Sequence, residues 1–270
     1  MVSKKFIAID SHCHAGESWY EPIKSLVFHL EENQINKAVL IGHMGAYENN
    51  NYLLECKKKF PDRFAVVGVF DLDDLFYEND DSLRLELDKF DGVRISAVNI
   101  VKPEYLSVLG MISELGLPIS CLGEWPQFNS SKFIEIVEKN PSLSIVMEHL
   151  AGIGHNPDYQ KEYYETVGRF SGYKNIYIKI PGLGEINNKP HILFRKSAFE
   201  NKSEQLLEVT LTNFGSGRMM WGSDYPPVSS REGYTNSFKE IMGSPVFQSH
   251  SDLSNIIGGT AHKLFWKNNL

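Results

Sequence analysis

A chain of 270 residues, 42% hydrophobic and 23% charged, can bury a substantial core as one domain and is neither disordered nor fibrous in composition. Its formal charge of −7 argues against a nucleic-acid or anionic-membrane partner, since both call for a basic face, and leaves a small-molecule substrate as the expected partner. Cys13, Cys56 and Cys121 are too few and too widely spaced for a disulfide framework, and no segment approaches the roughly 18 apolar residues of a membrane span, so a cytoplasmic protein is expected.

The first element is the run Phe6-Ile7-Ala8-Ile9, a short buried strand that ends in Asp10-Ser11-His12-Cys13-His14. On a strand, residues two apart share a face, so His12 and His14 project together and Cys13 points away. Two imidazoles on one face can hold a transition metal or grip a polar substrate. The 21–34 stretch carries apolar residues at Ile23, Leu26, Val27 and Leu30, which is helical spacing. Strands are then expected over 37–41, 64–70, 92–95, 118–122, 144–147, 176–180 and 218–222. Between them, helices are expected over 49–60, 82–89, 103–115, 131–139, 158–170 and 203–214, with further helices near the C-terminus ending in 261–266. The 182–199 stretch is the longest irregular one and is placed near the mouth of a pocket.

Strands alternating with helices of about ten residues read as βα repeats around a parallel sheet, and eight right-handed repeats can close a barrel. The length is near the roughly 250 residues typical of that architecture. The expected fold is therefore a single-domain (β/α)8 TIM barrel over 1–270 with extra C-terminal helices; whether it forms a homo-oligomer is left open.

Active sites in such barrels lie at the C-terminal strand ends, so the residues that end each strand are the candidates. They are His12 and His14, His43, Arg94, Glu124, His149, Lys179 and Asp224. Burying so many ionisable groups is costly unless they are paired or used. Asp224, in Trp221-Gly222-Ser223-Asp224-Tyr225-Pro226, can ligate a metal or take a proton from water; its bland alternative is a helix cap. His149 is a second catalytic candidate, against a core histidine bonded to backbone. Arg94 and Lys179, with His43, are assigned to substrate binding, the two cations gripping a carboxylate; for Arg94 a structural salt bridge weighs equally. His155 and His262 read as a surface and a packing histidine.

With these residues in hand, the chain resembles the amidohydrolase superfamily, in the branch called amidohydrolase 2. The resemblance rests on Ile-Asp-Ser-His-Cys-His at the first strand, Gly-Val-Arg at the fourth, Glu-His-Leu-Ala-Gly at the sixth, Trp-Gly-Ser-Asp-Tyr-Pro at the eighth, and the tail Gly-Gly-Thr-Ala-His-Lys-Leu-Phe. It implies a barrel with His12, His14 and Asp224 around one divalent ion, zinc by preference, joined in metal-using members by a fifth-strand histidine. Here Cys121-Leu122-Gly123-Glu124 stands at that place, which leaves the ion three of the usual protein ligands unless Glu124 substitutes. Some lactonases of the branch are similar in lacking that histidine, certain of them working without metal, and Ile-Lys-Ile-Pro-Gly-Leu resembles a sugar-lactone hydrolase motif. The implied activity is opening of a lactone or ester-like bond in a small carboxylated substrate with Asp224 as general base. The alternative it implies is metal-dependent decarboxylation of an unsaturated or aromatic acid.

Overall fold

The structure is a computed structural model that describes residues 6–70, 80–153, 160–187 and 202–266. Eight strands follow one another around a single sheet in sequence order, every neighbouring pair parallel. They are β1 (Ile9–Cys13), β2 (Lys37–Ile41), β3 (Phe64–Val69), β4 (Gly92–Ser96), β5 (Ile119–Leu122), β6 (Ile145–Met147), β7 (Ile176–Ile180) and β8 (Met219–Trp221). Helices fill the crossovers, as at Ile23–Glu32, Asn49–Lys59 and Ser131–Lys139. The chain is a (β/α)8 TIM barrel, and its strands fall within a few residues of the spans that periodicity indicates.

Alternation along the strands sorts their side chains into two packed layers. Ala38, Leu40, Phe64 and Val66 face outward into the main core beneath the helices. Their neighbours Val39, Ile41, Ala65 and Val67 face the barrel axis, where Ala261, Leu264, Phe265 and Trp266 of the C-terminal helix Thr260–Phe265 plug the interior with them. Among the described residues no helix is long and apolar enough to cross a membrane. His262 stacks on Trp266 with ring centroids 5.9 Å apart, in keeping with a packing role.

The closure between β8 and β1 positions the site. The register shifts between Asp10 and Cys13, a bulge that resets the alternation so that Ile9 and His12 both face inward although they stand three positions apart. Beyond it, Asp224 N donates to His12 O and His14 N donates to Tyr225 O, each at 2.8 Å. The backbones come so close that a Cβ on Gly222 would lie 2.5 Å from His12 Cβ and 2.7 Å from His12 N, so only glycine fits there. Asp10, buried in β1, accepts from Ser223 N at 2.8 Å, Ser223 Oγ at 2.6 Å and Tyr234 Oη at 2.8 Å. That carboxylate staples the first strand to the loop after the last one.

Candidate active site

Above the apolar plug lies a layer of inward polar side chains, one from each of several strands. Arg94 of β4 donates from Nε and Nη2 to the two Glu148 oxygens at 3.1 and 2.7 Å, and from Nη1 to Gly42 O at 3.0 Å. Ser120 of β5 donates to Glu148 at 2.6 Å and accepts from Lys179 Nζ of β7 at 2.8 Å. All four residues are at most 6% exposed. Burial favours the neutral acid of Glu148, but Arg94 and Lys179 outweigh it and hold the carboxyl at about 2. Burial pulls Lys179 down to about 8, with Glu148 opposing, so the ammonium persists at neutral pH. For Arg94 the pairing with Glu148 is the structural salt bridge that the sequence weighs equally with substrate binding. All three Arg94 nitrogens donate to Glu148 and Gly42, whereas Lys179, held by Ser120 and His12, lines the gap beside His149 and Asp224.

The next layer holds the catalytic candidates. Lys179 Nζ lies 3.3 Å from His12 Nδ1; as an ammonium it can only donate, which places the His12 proton on Nε2. Burial and the surrounding Lys179, His149, His14 and Arg94 charges push the His12 pKa well below 6.5. His14 Nδ1 donates to the Ile41 carbonyl at 2.7 Å, which turns Nε2 to face Asp224 Oδ1 at 3.6 Å. His12 Nε2 lies 4.0 Å from the same oxygen and is buried without a hydrogen-bond partner. His149 reaches this cluster from an unusual backbone. Its φ is 51°, followed by 50° at Leu150, 56° at Ala151 and 76° at Gly152, a left-handed turn directly after β6. Each such non-glycine residue costs about 1–2 kcal/mol, and strain of this kind gathers where function requires a side chain to be re-aimed. At Gly152 a Cβ would also lie 2.6 Å from Gly123 O.

His149 Nδ1 lies 2.9 Å from Glu185 Oε2, which turns Nε2 toward the cluster. Burial opposes protonation, but Glu185, then Asp224 and Glu148, outweigh it and raise the His149 pKa. Removing the Glu185 charge leaves burial dominant. An NMR titration of the His149 ring is therefore expected to show a midpoint above 6.5 that drops in Glu185→Gln; an unchanged midpoint would remove Glu185 as its cause.

Asp224 is itself left-handed, with φ 57°. Burial raises its pKa, yet His14, His149 and Arg231 outweigh burial, and the carboxyl titrates below 3.8. Arg231 donates to Asp224 Oδ2 at 3.3 Å and to Glu185 Oε2 at 3.5 Å, tying the loop after β8 to the turn after β7. Single ligand atoms of His12, His149 and Asp224 all lie within 4.8 Å of one another, a group that could hold a metal ion. The donors fit such an ion: His149 offers an oriented Nε2 lone pair, Asp224 a carboxylate, and His12 a buried unsatisfied Nε2, whose lone pair is free once its proton moves to Nδ1 and Lys179, lowered to about 8, gives up its own. His14 faces the same space from the side.

Glu124 stands apart. It is exposed, caps the short turn Trp125–Phe128 and exchanges hydrogen bonds with Gln127 there, so the structure does not bring it to the other ligands. His43 lies at the rim, its centroid 6.3 Å from His14 and 5.4 Å from Tyr20. His155 and residues 188–199 of the loop after β7 lie outside the described residues. Sequence reasoning missed Glu148, Ser120, Glu185, Arg231, Asp10 and Tyr20. Only Glu148 and Asp10 carried a signal, as acids inside motifs already singled out for their histidines.

A family model described as amidohydrolase matches residues 9–265. The chain belongs to this amidohydrolase family. An L-fucono-1,5-lactonase of Burkholderia ambifaria is 21% identical over 214 residues, covering 77% of this chain and 71% of the relative. An amidohydrolase of Burkholderia multivorans solved with bound zinc superposes with a TM-score of 0.80 at 16% identity, covering 96% of this chain and 99% of that one. A 5-carboxyvanillate decarboxylase of Sphingomonas paucimobilis superposes at 0.65 and 13% identity, covering 97% and 99%. At such identities the two structures support the barrel alone. The amidohydrolase assignment makes the chain an enzyme acting on small molecules.

Proposed function

We propose that this amidohydrolase opens a lactone or similar ester-like bond, with Asp224 as the general base. One observation carries the reading: an ionised carboxylate, held in a strained backbone position, faces three imidazoles whose ring orientations are each fixed from behind. A base needs its charge and a site for water, and the Asp224 carboxyl keeps its charge down to below pH 3.8. Water adds its oxygen to the lactone carbonyl carbon as Asp224 takes a water proton. In the metal-free site the His12 Nε2–H and a protonated His149 are the donors for the oxygen that becomes negative; held to an ion, these two nitrogens would give up that role to it. As the tetrahedral carbon collapses, the ring C–O bond breaks and the alkoxide recovers the proton, giving a hydroxy acid. The fuconolactonase likeness supports this class of bond.

His12, His149 and Asp224 would hold a divalent ion, and two imidazoles with a carboxylate make zinc the ion we assign. When bound, zinc supplies Lewis-acid polarisation of the carbonyl. Arg94 is engaged by Glu148 and Gly42, so of the two cations expected to hold a substrate carboxylate, Lys179 is the one that lines the reacting space.

Zinc-loaded protein is expected to open five- and six-membered lactones and to release no carbon dioxide from hydroxybenzoic acids, followed by pH-stat and by bicarbonate release. Carbon dioxide release without lactone opening would overturn the proposal in favour of the decarboxylase class.

A further inference from the structure

The gap at the catalytic centre is small, about 150 Å³ between His12, His149, Lys179, Pro181, Gly222 and Asp224. Between the loops that follow β1 and β2 lies a wider space of about 640 Å³, part of it open to solvent. His14 and Tyr20 stand between the two. His14 Nε2 faces Asp224, its ring stacks on Tyr20 at 5.0 Å and 10°, and Tyr20 lines the wider space. Tyr20 is held there at φ 72°, again a left-handed position for a bulky residue.

The walls of this space are aromatic and acidic. Trp19, Tyr20, His43 and Tyr52 supply rings, Glu17 and Glu48 supply carboxylates, and no lysine or arginine lines it. Trp19 meets Tyr20 at 67° with centroids 6.4 Å apart, and Tyr20 meets His43 at 69° and 5.4 Å, so the rings stand at steep angles and do not cover one another's faces by stacking. Trp19 is 70% exposed, an indole left in water at the edge of a polar space. Among the described residues no lysine or arginine sits over any of these rings, and neither Glu17 nor Glu48 is ion-paired. Burial, then His14 and Arg94, lowers the His43 pKa, so that ring adds no competing cation at neutral pH.

Ring faces carry negative potential, strongest on tryptophan, and attract an ammonium placed over them. The two carboxylates act with the same sign. Both are exposed, so water and salt weaken their pull on a cation and their repulsion of an anion alike; they bias the sign of the preference, and the rings add to its size. A neutral substituent gains from neither, and an anionic one is opposed by both.

We infer that the space of Trp19, Tyr20, His43, Tyr52, Glu17 and Glu48 is a specificity subsite for a cationic substituent of the substrate, an alkylammonium carried beside the bond to be hydrolysed. This rests on the lactone-opening reading of the adjoining centre. The test offers zinc-loaded protein two γ-butyrolactones of one shape, carrying on the carbon next to the ring oxygen either a trimethylammoniomethyl group or its neutral neopentyl counterpart. The charged lactone is expected to show a kcat/KM about tenfold above the neutral one, carried by KM. That ratio should fall to within about twofold of unity in Glu17→Gln/Glu48→Gln and in Trp19→Ala, and should shrink in the wild type as salt is raised. Melting temperatures check that the variants are folded. Binding apart from turnover is read with tetramethylammonium chloride against a sodium chloride control. It should shift the Trp19 indole N–H resonance saturably in the wild type and not in the double glutamine variant. Equal turnover of the two lactones, or no saturable shift, overturns the subsite and leaves the lactonase reading standing. A saturable shift with neither lactone opened overturns the lactonase reading and leaves the cation site. Neither shift nor turnover overturns both.

Discussion

Asp224→Asn is expected to lower kcat/KM for lactone opening by about two to four orders of magnitude, while the melting temperature moves by no more than a few degrees. The two halves of that expectation have separate physical causes. Activity falls because an amide cannot take a proton from water, and because the ionised state that His14, His149 and Arg231 maintain is gone. Stability holds because the backbone at 224 is left-handed, a conformation that asparagine adopts more readily than most residues. The amide oxygen still accepts from Arg231, and the amide N–H can donate to the His14 Nε2 lone pair. Alanine at the same position would add backbone strain and would confuse the two effects. Asp224→Asn that turns over at more than about a tenth of the wild-type rate would remove Asp224 as the base. A large loss of melting temperature would instead make its contacts structural.

The barrel was legible because apolar runs four to six residues long recur between amphipathic stretches, and period-two alternation then fixes which side chains meet the axis. His12, His14, Arg94, Lys179 and Asp224 were legible for the same reason, as ionisable groups at the ends of buried strands. Their partners were not. Glu148 and His149 are adjacent, and in an extended chain they would face opposite sides. The structure turns both inward by a left-handed turn that begins at His149 and runs through Leu150 and Ala151, the last two being residues with no preference for it. Only Gly152 hints at that turn in the sequence. The bulge in β1 was hidden likewise, since no glycine or proline marks it. Glu124 was assigned by the place it occupies along the chain. Its capping interaction with Gln127, three residues on, was readable and competed for the same side chain.

Arg94 distinguishes a pocket residue from a foundation, because the two roles predict opposite readouts. A residue that grips a substrate carboxylate would raise KM when lost and leave stability near the wild-type value. As the partner of Glu148, Arg94 lost to methionine should cost about 3–5 kcal/mol, since a buried carboxylate is left without its bidentate counter-charge. In a chain of this size that is a fall in melting temperature of about 6–20 °C. The pKa of the pair gives a similar scale. A carboxyl held at about 2 in the fold against 4.5 outside it contributes about 3 kcal/mol at neutral pH. Because the folded value is the lower one, that contribution is complete above about pH 4.5 and disappears as pH falls toward 2. Arg94→Met should therefore flatten the acid side of the stability–pH curve as well as lower its plateau. The double variant Arg94→Met/Glu148→Met supplies the control, for it removes the charge left stranded and fills the volume with apolar atoms. It should recover most of the stability, because buried ion pairs replaced together are often close to neutral. It should not recover activity, because Lys179 then loses the anion that holds it beneath His12 and the imidazole proton is no longer directed to Nε2. A single Arg94→Met variant that melts with the wild type would return Arg94 to the substrate, as its place at a strand end first suggested.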